Sequence, residues 1–213
     1  MKTIYDYGNP ESSNVLIQLA DDHDLDLMNN EFSTIKALSG VDIHLRVIKV
    51  DQWNHDLSPW NTPPVFGREG FGDGAEATLS EVLKLTSDPE KNYYIGGYSL
   101  AGLFALWAAY QTDAFKGVAA ASPSVWFPGF LDFAKANVIR TQKVYLSLGD
   151  KEDRAKNPVM ATVSDRIREL HELLIDREVI CTLEWNSGNH FKDPDLRTAK
   201  AFCWLLAENA EIK

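Results

Sequence analysis

Short continuous apolar runs alternate along this chain with longer stretches in which an apolar side chain recurs every three or four residues. Residues 15–20 form the first such run, broken only by Gln18, and 43–50 the second, rich in branched side chains. Further runs lie at 92–97, 117–121, 142–148 and 179–185. Runs of this length bounded by Gly, Pro, Asn and Asp read as buried strands. Between them, helical spacing is visible at 27–38, closed by Gly40, and again at Ala75, Leu79, Val82 and Leu83. It returns at 103–110, at Met160, Val163, Ile167, Leu170 and Leu174, and at Leu196, Ala199, Phe202 and Leu206. Start signals support three of these helices: Asp73 with Glu76 resembles a capping box, and Asn157-Pro158 and Asp193-Pro194 put proline at the first turn. Residues 1–13 are polar and turn-rich, and no strand is expected there. Strands alternating with helices predict an α/β fold: one domain over residues 1–213, a mostly parallel central sheet with helices on both faces, and no separate lid. Ligands on such sheets bind beyond the carboxyl ends of the strands.

The segment 51–74 breaks the rhythm. Trp53, His55, Trp60, Pro63, Pro64, Phe66, Gly67, Gly70, Gly72 and Gly74 follow no period. A long irregular stretch in a compact domain either carries function or packs over a sheet edge, and the two readings are compatible.

Composition narrows the function classes. Apolar residues make up 45% of the chain and aromatics 11%, which excludes a disordered polymer. The formal charge is −10 and no basic cluster exceeds a pair, so nucleic acid and anionic membrane surfaces are not expected partners. The N-terminus lacks the apolar core of a signal peptide and no run approaches a membrane span, so a cytoplasmic protein is expected. Cys181 and Cys203 lack metal-ligand spacing and read as reduced core thiols. The acidic run 21–26 precedes a helix and reads as caps and dipole partners rather than a metal site.

Candidate chemistry sits at 92–102, where a buried strand meets a helix through Gly97-Tyr98-Ser99-Leu100-Ala101. A serine on such a junction is held clear of the sheet on a strained turn, and small residues two places before and after it let strand and helix approach. The motif is short, and an ordinary strand-to-helix turn with a satisfied serine also matches it. Its meaning depends on the rest of the chain. A serine hydroxyl becomes a nucleophile when a histidine takes its proton and a carboxylate orients that histidine. In a sheet of this type the chain order is serine, acid, histidine. Of the five histidines, His190 alone follows the last strand in a glycine-containing loop. Asp150, Glu152 and Asp153 crowd the turn after the preceding strand, and Glu152, three residues beyond Gly149, is the one placed to curl back. Backbone N–H groups for a developing oxyanion are expected from Leu100 and from Asp21 or Asp22. Trp60, Phe66 and Trp126 are candidates for a substrate pocket.

Four segments in order, 96–102, 121–126, 148–153 and 188–191, with Asp56-Leu57-Ser58-Pro59-Trp60 as a fifth, resemble the α/β-hydrolase superfamily, in particular its esterase D or enterochelin-esterase-like branch of small serine esterases. The likeness runs over about residues 14–208. It implies ester hydrolysis without metal or organic cofactor, with Ser99 as nucleophile, His190 as base, Glu152 as the acid and a small-molecule ester as partner. An acyltransferase or serine peptidase could use the same groups, and a non-catalytic binding protein could keep the fold. Neither the ester nor the oligomeric state follows from sequence.

Overall fold

The computed structural model describes residues 2–207. Its centre is a seven-stranded sheet in the order β1-β3-β2-β4-β5-β6-β7. The strands are β1 (Ile4–Gly8), β2 (Asn14–Ala20), β3 (His44–Lys49), β4 (Asn92–Tyr98), β5 (Gly117–Ala121), β6 (Lys143–Gly149) and β7 (Ile180–Asn186). Every pairing is parallel except that of β1 with β3. The expected α/β architecture is therefore present, with one antiparallel strand added at an edge. That strand lies in the stretch read as irregular. Ile4-Tyr5-Asp6-Tyr7-Gly8 is an edge strand with mostly exposed side chains, so it carries no apolar run. Its pairing is reinforced by Asp6, whose carboxylate accepts from Arg46 Nε and meets His44 Nε2, each at 2.9 Å.

The two-residue period of a strand sends alternate side chains to opposite faces. Val15, Ile17 and Leu19 of β2 join Val118 and Ala120 of β5 and Val144 and Leu146 of β6 in one core. Leu16 and Ala20, with Ala119 and Tyr145, point to the other. The first core is covered by α3 (Ala75–Leu83), α4 (Ser99–Gln111), α5 (Phe130–Ala136) and α6 (Val163–Asp176), the second by α1 (Asp22–Ser39) and α7 (Pro194–Leu206). Helix α4 is buried from Leu100 through Tyr110, apolar on every side because the sheet lies beneath it and aromatic loops above.

Several helix boundaries differ from expectation. Helix α1 begins at Asp22, because Asp21 and Asp24 form a reciprocal capping box, so the acidic run is its first turn. At α3 the expected capping box is absent: Gly74 is the N-cap and the Asp73 carboxylate accepts from Asn61 Nδ2 at 2.7 Å. Asn157 caps a short 3-10 turn, accepting from the N–H groups of Val159 and Met160, and α6 proper starts at Val163. Leu196, expected on the apolar stripe of α7, is 38% exposed. Helix α5 and the one-turn α2 (Trp53–Asp56) are too short to show a period.

One polar pair sits within the second core. Gln18 of β2 and Glu31 of α1 are 3% and 2% exposed, with Gln18 Nε2 donating to Glu31 Oε2 at 3.3 Å. Gln18 Oε1 and Glu31 Oε1 have no protein partner among the described residues. Burial pushes the Glu31 carboxyl well above its ordinary range, which favours the protonated form in the folded state. Asp24 nearby is pushed up to about 6, by burial and then by the charge of Asp21. A group that binds its proton more tightly when folded makes stability fall as pH rises, from the unfolded carboxyl pKa of about 4.3 through the raised folded value. Glu31→Gln removes that loss and puts an N–H donor in place of the orphaned Glu31 oxygen. We expect its melting temperature to exceed that of the parent by about 2–8 °C at pH 8 and to match it closely at pH 4. A loss of stability at pH 8, read by thermal unfolding, would contradict the assignment.

Candidate active site

Strand β4 ends at Tyr98, and the next residue, Ser99, takes a left-handed backbone with φ 56° as α4 begins. A non-glycine residue in that region is strained by roughly 1–2 kcal/mol and persists only where its surroundings hold it. The turn is tight enough that a Cβ on Gly97 would lie 2.6 Å from Ala101 Cβ. Ser99 Oγ lies 2.9 Å from His190 Nε2, and His190 Nδ1 lies 2.7 Å from Glu152 Oε2. A second hydroxyl, Ser124 Oγ, is 3.3 Å from Ser99 Oγ. His190 belongs to the segment between β7 and α7, and Glu152 opens a 3-10 turn after β6. Three strand ends thus deliver three groups to one line of hydrogen bonds.

Of the three carboxylates in the β6 turn, Glu152 alone reaches the imidazole. Asp150 instead accepts from Gly188 N–H at 2.7 Å, and its own N–H donates to Asn186 O at 2.8 Å, which fastens the β6 and β7 turns together. Asp153 is exposed. The Glu152 side chain is only 4% exposed. Its Oε1 accepts from Gly149 N–H at 2.7 Å, Ser122 Oγ at 2.8 Å and Arg197 Nη1 at 2.9 Å. A Cβ on Gly149 would come within 2.4 Å of Gly188 O and 2.9 Å of Glu152 Oε1, so only glycine lets the chains approach here. Burial would push the Glu152 carboxyl up, yet the His190 hydrogen bond and charge, with the Gly149 and Ser122 donors, hold it below its ordinary value.

Arg197, on the first turn of α7, escapes the sequence reading. Its side chain is 2% exposed, and besides Glu152 it reaches Tyr98 OH at 3.1 Å, Ser122 Oγ at 3.0 Å, Ser187 O at 3.3 Å and Asn189 O at 3.1 Å. One guanidinium therefore ties the carboxylate, the last residue of β4 and the His190 segment together. Tyr98 adds a second tie by donating from its hydroxyl to His190 O at 2.7 Å. Burial pushes that phenol up to about 12, which keeps it a donor. The signal for Arg197 was its place one turn before Ala201 and two before Leu205, a charge on the buried face of an amphipathic helix.

Ser99 opens onto a cavity of about 720 Å³ whose apolar wall includes Trp53, Phe66, Phe71, Trp126 and Met160. Phe66 and Trp126 thus lie where a pocket was expected. Trp60 does not line it: its indole N–H donates to Pro128 O at 2.9 Å and its ring packs on Phe127 and Phe133. Trp53 and Phe71, from the same aperiodic segment, take that place. Leu100 lines the cavity, and its N–H is in the first turn of α4, where backbone donors lack intrahelical partners. Asp21 and Asp22 do not line it, and Asp21 N–H donates to Asp24 Oδ2 over 3.4 Å. Cys181 and Cys203 lie elsewhere, and burial pushes their thiols up to about 12 and about 11, so neither supplies a thiolate.

This arrangement of sheet and helices recurs in solved structures. An IroE-like serine hydrolase from Shewanella oneidensis superposes with TM-score 0.76 at 16% identity, over 95% of this chain and 75% of that one. The fold is the α/β-hydrolase fold. The siderophore hydrolase EstA from Aspergillus nidulans matches with TM-score 0.64 at 19% identity, over 93% of this chain and 85% of its own. The enterobactin esterase FES from Shigella flexneri matches with TM-score 0.67 at 15% identity over 95% of this chain, which spans 54% of that protein. No protein-family model and no curated sequence matches the chain. Within the hydrolase fold, a hydroxyl hydrogen-bonded to an imidazole that a carboxylate anchors is suited to losing its proton during attack on an acyl carbon.

The buried guanidinium is open to a direct test. Arg197→Met leaves Glu152 with one donor fewer and frees two carbonyls of the His190 segment. We expect a loss of about 3–5 kcal/mol in denaturant unfolding. Amide exchange at 187–192 should accelerate more than in the sheet, with Arg197→Lys recovering part of both effects. Exchange that rose equally everywhere would mean that Arg197 does not hold this segment.

Proposed function

We propose that the protein is a serine-dependent carboxylic-ester hydrolase that works through an acyl-serine intermediate. The observation that carries this reading is the hydrogen bond of 2.9 Å between His190 Nε2 and a serine held at φ 56°. In the proposed reaction Ser99 Oγ attacks the ester carbonyl carbon while its proton passes to His190 Nε2. The electron pair displaced onto the carbonyl oxygen is met by the N–H of Leu100. The second donor comes from the turn after β2, where Asp22 N–H is in the first turn of α1 and the long Asp21–Asp24 bond can yield to an oxyanion. Collapse of the tetrahedral species breaks the bond to the alcohol, which leaves with the proton from His190. Water then attacks the acyl-serine with His190 again taking a proton, and collapse returns that proton to Ser99 and releases the acid. Glu152 fixes the imidazole tautomer and stabilises its cation, and none of these steps calls for a metal or organic cofactor.

The siderophore and enterobactin esterases that share the fold support a small-molecule ester as substrate, with Phe66 and Trp126 in contact with it. Two unpaired cysteines fit a reducing compartment such as the cytoplasm. Among the described residues no helix is long and apolar enough to cross a membrane.

A fluorophosphonate probe should label the folded protein on Ser99, and Ser99→Ala should abolish labelling. A folded but unlabelled protein would point to a binding module that keeps the fold. Against p-nitrophenyl acetate, Ser99→Ala and His190→Ala should each lose about 10⁵–10⁶ in kcat, and Glu152→Gln about 10³–10⁴. Full activity in any of the three variants would overturn the role given to that residue.

A further inference from the structure

The cavity wall has a charge opposite to that of the chain. Overall, 31 acidic residues stand against 21 basic ones. Yet the charged side chains lining this cavity are Lys151, Arg154, Lys156 and Glu152. Glu152 is the buried carboxylate already paired with Arg197 and hydrogen-bonded to His190. The three cations are exposed, and none is in an ion pair among the described residues. Asp153 lies in the same turn but outside the cavity lining. Lys151 precedes Glu152 and Arg154 and Lys156 follow it, all in the segment after β6, so the turn that positions the carboxylate also brings positive charge to the rim.

The rest of the lining has a different character. Phe66 is 44% exposed and Phe191 86% exposed, and both line the same cavity with the more buried Phe71 and Trp126. Large apolar side chains left open to water at a cavity mouth mark contact with a ligand. An apolar wall beside unpaired cations fits a molecule with an apolar body and an anionic end, because the low-dielectric wall focuses the field of the cations on the cavity.

We propose that the preferred substrate is an ester with an apolar body and an anionic group, such as a carboxylate, remote from the scissile bond, held by Lys151, Arg154 and Lys156. The inference rests on the hydrolase reading of Ser99 and adds the chemical class of the substrate. The anion makes no contact with the reacting atoms. It acts on capture, so its effect appears in kcat/KM and weakens with salt.

Two pairs of esters, matched except for charge, test both sides of the scissile bond. On the acyl side, p-nitrophenyl hexanoate is compared with the mono-p-nitrophenyl ester of adipic acid. On the alcohol side, 4-acetoxyphenylacetamide is compared with 4-acetoxyphenylacetate. In at least one pair the anionic ester should have the higher kcat/KM at low ionic strength, by about tenfold. That ratio should shrink in 0.5 M NaCl, where the Debye length falls to about 4 Å. It should fall below one in an Arg154→Glu, Lys156→Glu double variant, and because the readout is a ratio, a general loss of activity does not imitate the effect. Neutral esters turned over as well as anionic ones in both pairs would overturn the charge assignment and leave the hydrolase standing. Turnover of no ester, with no fluorophosphonate labelling, would overturn both.

Discussion

A carboxylate taken almost out of water stays ionised only if enough donors surround it, and the site is built around meeting that demand for Glu152. Its two oxygens collect an imidazole, a backbone N–H, a hydroxyl and a guanidinium from four separate segments. Each of those segments is thereby fixed relative to the others. The guanidinium is itself buried and must be satisfied in turn, which draws in Tyr98 and two carbonyls of the His190 segment. A pair like this adds little net stability compared with apolar packing, but breaking it is costly. Its effect is to make one arrangement of the loops far better than the alternatives.

The sheet supplies the positions that this network joins. Parallel pairing of β4, β5, β6 and β7 brings the carboxyl ends of all four strands to one edge. Backbone strain concentrates there: Ser99, Ser122 and Asp193, which follow β4, β5 and β7, all have positive φ without being glycine. Ser122 illustrates the link between strain and packing. At φ 42° it turns the chain off β5 so that its hydroxyl reaches Glu152 while its N–H donates to Ser147 O of β6.

The aperiodic segment 51–74 serves packing and site together. Thr62 pairs with Phe71 across an isolated bridge, Phe71 stacks edge-on against Phe127 with centroids 5.2 Å apart, and Asn157 Nδ2 donates to Val65 O. These ties fix the segment against the loop after β5 and the stretch that leads into α6. The same placement turns Trp53, Phe66 and Phe71 toward Ser99.

What could be read from the amino-acid order was whatever depends on neighbours in the chain. The buried strands and long helices were legible because their apolar periods are local, and Gly97-Tyr98-Ser99-Leu100-Ala101 because a tight strand-to-helix turn restricts side-chain size within five positions. The edge strand β1 and the short α2 and α5 were not, since their pairing and packing partners lie far along the chain. Choosing among Asp150, Glu152 and Asp153 turned on which carboxylate faces the loop after β7, a matter of contact across the sheet. Trp60 and Trp53 are alike in composition and context, and only the packed fold sends one to Pro128 O and the other to the cavity. Arg197 and the cationic rim belong to the same class. A guanidinium on an apolar helix face signals a buried partner, but its identity arises from distances that tertiary structure alone sets, as does the facing of Lys151, Arg154 and Lys156, neighbours in the chain, onto the cavity beside Ser99.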